Sequence, residues 1–160
     1  MFNRRIAVAL ILACLPLTSI AQESADMGAL NSAIETQRQV SEAQRQMIVS
    51  QNLELTEAES SAFWPLYRQY RADVAKLVDR KVSVITRYAK NYESLDDDTA
   101  LILLRESVKV EVDKVKLTQR YISRFNKVIP GTKVTRYMQV EFRLDTIANL
   151  KLQSSIPLVM

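Results

Sequence analysis

The stretch NLELTEAESSAFWPLYRQY, residues 52–70, decides how this chain folds. Thr56 and Glu59 stand three residues apart, the spacing of a capping box, so a helix is predicted to begin at Thr56. Pro65 then falls about two turns in, beside Phe63 and Trp64. A proline there removes a helical hydrogen bond and costs roughly 3 kcal/mol. The Ser61 carbonyl loses its helical partner, so the helix is expected to bend between Phe63 and Leu66, with Phe63, Trp64 and Tyr67 packed at the corner.

After Pro65, Leu66, Tyr67, Tyr70, Val74, Leu77, Val78, Ile85, Tyr88 and Tyr92 keep three-to-four spacing. The second helix therefore runs to about Tyr92, roughly 54 Å for some 36 residues. Glu93-Ser94-Leu95-Asp96 is a short connection, and one residue of Asp96-Asp97-Asp98 caps the third helix. A calcium site at the triple aspartate would need further oxygen ligands at loop spacing, and none follow.

In the third helix Leu101, Val108, Val115, Ile122 and Ile129 recur every seven residues, with Leu104 and Phe125 at the other seam position. This predicts a coiled-coil-like packing seam. Its centre is polar at Glu111 and Thr118. Either these residues set the register, or the seam opens to water there; the drift of the stripe toward Val112 favours the second. Pro130-Gly131 stops the helix. A fourth, about Thr132 to Leu152, carries Val134, Tyr137, Val140, Leu144 and Ile147, and the tail SSIPLV is extended because Pro157 disfavours helix before it. Upstream, residues 29–50 form a first helix with a thin apolar stripe (Leu30, Ile34, Val40, Ala43, Met47, Ile48). Short connections between long helices imply antiparallel neighbours. The fold class is all-α: an elongated, curved antiparallel helical hairpin with about four helices.

The N-terminus reads as a leader. Arg4 and Arg5 precede the apolar run Ile6 to Leu17, which is too short to span a bilayer, and Ser19-Ile20-Ala21 supplies small residues before a cleavage site at Gln22. The alternatives are an uncleaved anchor helix and lipid anchoring at Cys14, where Leu12 departs from the lipobox pattern. Cleavage leaves one domain, residues 22–160, with flexible ends at 22–28 and 153–160. Loss of Arg4 and Arg5 lowers the net charge from +4 to +2, and Cys14, the only cysteine, departs as well. An exported chain without cysteine can form no disulfide, so packing alone holds it.

The chain has no histidine and two glycines, Gly28 and Gly131. The usual transition-metal ligands, the usual general base and the His-activated nucleophiles are missing, and a glycine-rich phosphate loop cannot form. The expectation is no enzyme, no cofactor, no metal and no small-molecule substrate.

An internal similarity appears at a shift of 74 residues. Leu55-Thr56 aligns with Ile129-Pro130, Phe63-Trp64 with Tyr137-Met138, and Leu66 with Val140. The stretch Leu55-Thr56-Glu57-Ala58-Glu59 followed by Phe63-Trp64-Pro65-Leu66-Tyr67 resembles the LTXXQ motif region of the Spy and CpxP family. Glu59 stands where the motif has glutamine, and the second copy, Ile129-Pro130-Gly131-Thr132-Lys133, keeps only the apolar first position. The similarity in layout runs from about Ala29 to Ile147. It implies a periplasmic, ATP-independent chaperone or envelope-stress modulator, folded as a thin helical homodimer whose concave face binds clients.

Two surfaces are candidates for partner binding. From Lys114 to Arg136 there are seven basic residues and no acid, and Lys116, Arg120, Arg124 and Lys127 are spaced to share one helix face. They read either as a solvated face or as a surface that attracts acidic or unfolded chains. Export argues against nucleic acid as the partner. The aromatic cluster of Phe63, Trp64, Tyr67 and Tyr70 reads either as core or as a patch for a client or second subunit, with Tyr67 and Tyr70 the candidate contacts. A helical chain that binds polypeptides through apolar patches rimmed by Lys and Arg is the expectation. A structural adaptor dedicated to one envelope partner is the alternative.

Overall fold

The computed structural model describes residues 41–153, apart from the side chains at 91, 92, 151 and 152, together with Ile156. The chain divides after Gln44, and the packing below belongs to the unit from Arg45 onward. The described residues form four α-helices and no strand. Helix α1 covers 41–52, α2 Glu57–Asn91, α3 Asp97–Phe125 and α4 Gly131–Gln153, with a short 3₁₀ turn at Tyr92–Ser94. The expected first helix lies largely outside the described residues, as do the expected leader and residues 22–28.

Each boundary has a chemical cause. At the start of α2 the Glu59 amide donates to Thr56 Oγ1 at 3.3 Å, and the Thr56 amide donates to Glu59 Oε2 at 2.8 Å, so the capping box closes reciprocally. At the start of α3 the capping residue is Asp96, whose carboxylate accepts from the Thr99 amide at 2.8 Å and from its hydroxyl at 2.7 Å. The backbone donation from Thr99 is the main reason the Asp96 carboxyl is held below the ordinary range. Helix α3 ends four residues before Ile129, because Pro130 turns the preceding backbone away from helical angles; the Ile129 amide still reaches the Phe125 carbonyl at 3.0 Å. Helix α2 is continuous through Pro65, which is exposed, as is Ser61.

Helices α2 and α3 are antiparallel, and their register is written in side-chain pairs. Arg87 pairs with Glu106, Arg80 with Asp113 at 2.8 Å, Tyr121 donates to Asp73 at 2.8 Å, and Arg124 donates to Gln69 at 2.7 Å. Stepping seven residues down α2 meets a step of seven or eight up α3.

The core sits at the end of the hairpin away from Asp96. Phe63, Tyr67 and Tyr70 of α2 meet Tyr121 and Phe125 of α3 and Tyr137 of α4, with Val49, Leu53, Val74, Leu117, Ile129, Val134 and Met138 around them. Phe125 and Tyr137 rings lie 4.9 Å apart and Tyr70 and Tyr121 rings 5.1 Å apart, within the range where aromatic pairs attract beyond simple burial.

Of the apolar residues in the predicted seam of α3, Phe125 and Ile129 are buried as expected, but the rest do not form the packed face. Leu101, Leu104, Val108, Val115 and Ile122 are exposed, Val108 by 56% and Val115 by 58%. The buried stripe is Leu103, Val110, Leu117, Tyr121 and Phe125. At 100° per residue the centres of the two stripes lie about 130° apart, on different faces of one helix. The aromatic end determines which face turns inward, since Tyr121 and Phe125 bury far more surface than the valines of the other stripe. Glu111 is exposed and pairs with Lys81 at 2.8 Å, whereas Thr118 is buried, bonded to the Tyr70 hydroxyl at 3.3 Å and to the Lys114 carbonyl at 2.9 Å. The polar pair therefore divides: Glu111 meets water and Thr118 joins the core.

Candidate polypeptide-binding surface

The stripe that α3 leaves outside is continuous. On a helical wheel Leu101, Leu104, Val108, Val112, Val115 and Ile122 fall within about 80° of one another, and all six are exposed. Along one edge run Arg105, Lys109, Lys116 and Arg120, also exposed. Across the other edge lies α4, where Phe142 is half exposed and borders a shallow groove of about 430 Å³ with Val115, Gln119 and Ile122. An apolar strip flanked by cations thus runs the length of α3. Isolated exposed apolar side chains are ordinary, but a contiguous run of them marks an interaction surface.

The four cations expected on one face are placed in three settings. Lys116 and Arg120 line a groove of about 670 Å³ between α3 and α2, facing Lys76 and Arg80 across Asp73 and Asp113. Those two carboxyls are held below the ordinary range, Asp113 chiefly by Arg80 and Asp73 chiefly by Lys76. Arg124 is tied to Gln69, with its guanidinium 4.6 Å from the Tyr121 ring centroid. Lys127 lies beyond the end of α3, exposed in the turn before Pro130. Of the remaining basic residues, Lys114 is bonded to Asp145 of α4 at 2.8 Å and Lys133 to Glu59 at 2.6 Å.

Tyr67 and Tyr70, expected as possible contacts, are core residues, 3% and 1% exposed. Their rings are covered by Phe63, Tyr121, Phe125 and Tyr137, so neither offers a surface to another chain. Phe63 is buried with them. Trp64 is half-buried at the edge, its ring 5.1 Å from Phe63 and 5.3 Å from Tyr67.

Sequence reasoning passed over a buried charged knot. Arg45 of α1 donates to Glu141 at 2.6 Å and to Asp145 at 3.0 Å, and Arg71 of α2 reaches Glu141 at 3.3 Å. With Lys114 on Asp145, the knot joins all four helices. Glu141 is fully buried, and its other oxygen, Oε1, has no hydrogen-bond partner among the described residues. Burial pushes its carboxyl up, and the guanidinium groups of Arg71 and Arg45 pull it back only in part. The only signal in the sequence was the placement of Glu141 amid the apolar positions Tyr137, Val140 and Leu144.

Among the described residues no cluster of three metal-ligating side chains occurs, and no helix is long and apolar enough to cross a membrane. The chain matches no family model, no curated protein and no solved structure.

Proposed function

We propose that this chain is an exported, ATP-independent, chaperone-like or envelope-stress-modulating protein of the periplasm. It holds unfolded or partner polypeptides and performs no catalysis. The observation that carries the reading is the α3 stripe: a seven-residue apolar repeat that the fold leaves outside, edged by Arg105, Lys109, Lys116 and Arg120. Apolar contact supplies affinity for any unfolded segment, and the cations raise the encounter rate with acidic chains. The leader-like N-terminus, the absence of histidine and the resemblance of residues 55–67 to the LTXXQ motif support the same assignment.

The test is suppression of aggregation of an unfolded client without nucleotide. The intact chain is expected to suppress at equimolar ratio, and Val108→Asp combined with Val115→Asp to lose the effect while keeping its helical signal. No suppression by the intact chain at equimolar or higher ratio overturns the reading.

The regularity of the repeat favours a second reading, a structural adaptor for one helical partner, because a heptad stripe suits a single long helix better than irregular chains. A second copy of the chain, forming a homodimer, is the nearest such partner. Pull-down breadth separates one partner from many clients, and sedimentation detects the homodimer.

A further inference from the structure

The groove of about 670 Å³ that Lys116 and Arg120 line continues between α2 and α3 into another of about 300 Å³. The two share Arg80, and no residue of α4 lines either. Together they form one furrow. Its floor is apolar, with Leu77 half-buried and Val84, Val110 and Leu117 buried. Its rims are charged. On the α2 rim Lys76 pairs with Asp73 at 2.8 Å, Arg80 with Asp113 at 2.8 Å, and Arg87 with Glu106. On the α3 rim Lys109, Lys116 and Arg120 are exposed and form no ion pair among the described residues. The furrow is therefore left with an excess of positive charge, which its low-dielectric walls focus.

Helix geometry arranges that excess in a row. At 100° and 1.5 Å per residue, Lys109, Lys116 and Arg120 fall within about 40° of one another and span about 16 Å. A single phosphate can meet Lys116 and Arg120, one turn apart, but not Lys109 as well. The complementary ligand is thus a linear one with negative charge along its length. The pairs of Lys76 and Arg80 are exposed and hold those side chains weakly, so both can turn to such a ligand from the opposite rim.

The lining also selects among polyanions. Lysine and arginine only donate hydrogen bonds, and the carboxylates of the furrow are already engaged. A peptide brings a backbone donor with nearly every residue and would leave those donors unmatched, whereas a phosphate chain brings only acceptors. No aromatic side chain lines the furrow to stack a nucleobase. No exposed apolar side chain lines it to enter a lipid surface.

We propose that this furrow binds linear inorganic polyphosphate, held from α3 by Lys109, Lys116 and Arg120 and from α2 by Lys76 and Arg80. The site does not depend on the α3 stripe taking clients.

Isothermal titration calorimetry of the full chain with orthophosphate, tripolyphosphate and long-chain polyphosphate tests this. Affinity is expected to rise in that order. Lys116→Gln with Arg120→Gln should weaken long-chain binding by about tenfold or more, the loss expected for two charge-assisted contacts. Arg105→Gln with Lys127→Gln removes the same charge outside the furrow and should weaken it by less than about threefold. All four side chains are exposed, so both variants should keep their helical signal. Lys109→Gln shortens the row, and should weaken the long chain while leaving tripolyphosphate binding unchanged. Val108→Ser with Val115→Ser should keep polyphosphate binding, and its loss there overturns the placement in the furrow. Absence of long-chain binding by the intact chain overturns the proposal, as do equal losses in the two paired glutamine variants. Polyglutamate, oligo-deoxythymidylate and phosphatidylglycerol vesicles are each expected to bind more weakly than polyphosphate. Tighter binding of any of these through Lys116 and Arg120 overturns the proposal and gives the furrow to that chemistry.

Discussion

Phe63 and Tyr137 pack edge to face, ring centroids 5.1 Å apart and planes at 90°, and they are separated by 74 residues. That separation is the shift at which the chain resembles itself. Glu59 and Lys133, bonded at 2.6 Å, are separated by the same 74 residues. Equivalent positions of the two helix-starting units therefore touch each other, as happens near a two-fold axis relating like surfaces. The internal repeat is a packing device: each unit's aromatic is the other's core.

Phe63→Ala and Tyr137→Ala should each destabilise the chain by about 3–5 kcal/mol, the usual toll of removing a buried aromatic. The double substitution should cost less than both together, because each single change already opens the shared contact. Urea denaturation of the four chains measures this, and simple additivity would show that the rings pack independently.

Thr56→Ala should cost about 1 kcal/mol through the lost cap. Glu59→Gln keeps the cap, since glutamine also closes a capping box, and loses only the ion pair with Lys133. The Lys133 bond is the main reason the Glu59 carboxyl is held low. A group with a depressed folded value stabilises above its ordinary value, near 4.5, and that contribution fades as pH falls below it. Glu59→Gln should therefore flatten the acid limb of the stability curve, which denaturation between pH 3 and 6 reads. An unchanged acid limb would mean the pair contributes nothing.

Glu141 carries the opposite sign. Its carboxyl is pushed above the ordinary value of 4.5, so its share of stability is complete below that value and declines as pH rises through the folded value. Glu141→Gln should remove this decline. Arg45→Met, by contrast, strips a buried partner and should cost about 3–5 kcal/mol at neutral pH. Chemical denaturation from pH 4 to 8 checks both, and an Arg45→Met chain as stable as the parent would show that Arg71 alone compensates Glu141.

Val108→Ser with Val115→Ser should change folding stability by no more than about 0.5 kcal/mol, since both side chains already meet water. Client binding should fall. Binding by the unaltered chain should weaken, without vanishing, as salt screens the basic edge. A large loss of stability in the double variant would place these valines in the core after all.

Pro65→Ala should raise stability, by up to about 3 kcal/mol, because α2 runs through Pro65 and alanine restores the missing donor. If Pro65 also bends α2 so that the α3 stripe is presented to clients, binding should weaken as stability rises. Thermal denaturation and the aggregation assay read the two effects separately, and unchanged binding would leave the proline a tolerated residue.

Much of this architecture was legible in residues with strong local preferences. The capping box at Thr56 and Glu59, the cap at Asp96 and the stop before Pro130 each depend on neighbours within four positions, so their outcome could be read directly. The orientation of α3 was not legible. Leu101, Val108, Val115 and Ile122 keep the better heptad, yet Leu103, Val110, Leu117 and Tyr121 turn inward, and of the apolar residues in the expected seam only Phe125 and Ile129 are buried. The candidate surface was consequently legible only in part: of its edging cations Lys116 and Arg120 were named and Arg105 and Lys109 were not, its apolar strip was assigned to the packing seam, and Tyr67 and Tyr70, named as candidate contacts, are core.

By itself the amino-acid order determined that the chain is helical, where three of its helices begin, and that histidine and cysteine chemistry is lacking outside Cys14. Only the tertiary structure decided which of two apolar faces of α3 is inside, how the two 74-residue-related units meet, and that Glu141 is buried among arginines. Local signals act through hydrogen bonds within one turn. The inward face depends on surface buried against partners dozens of residues away, and periodicity alone does not name those partners.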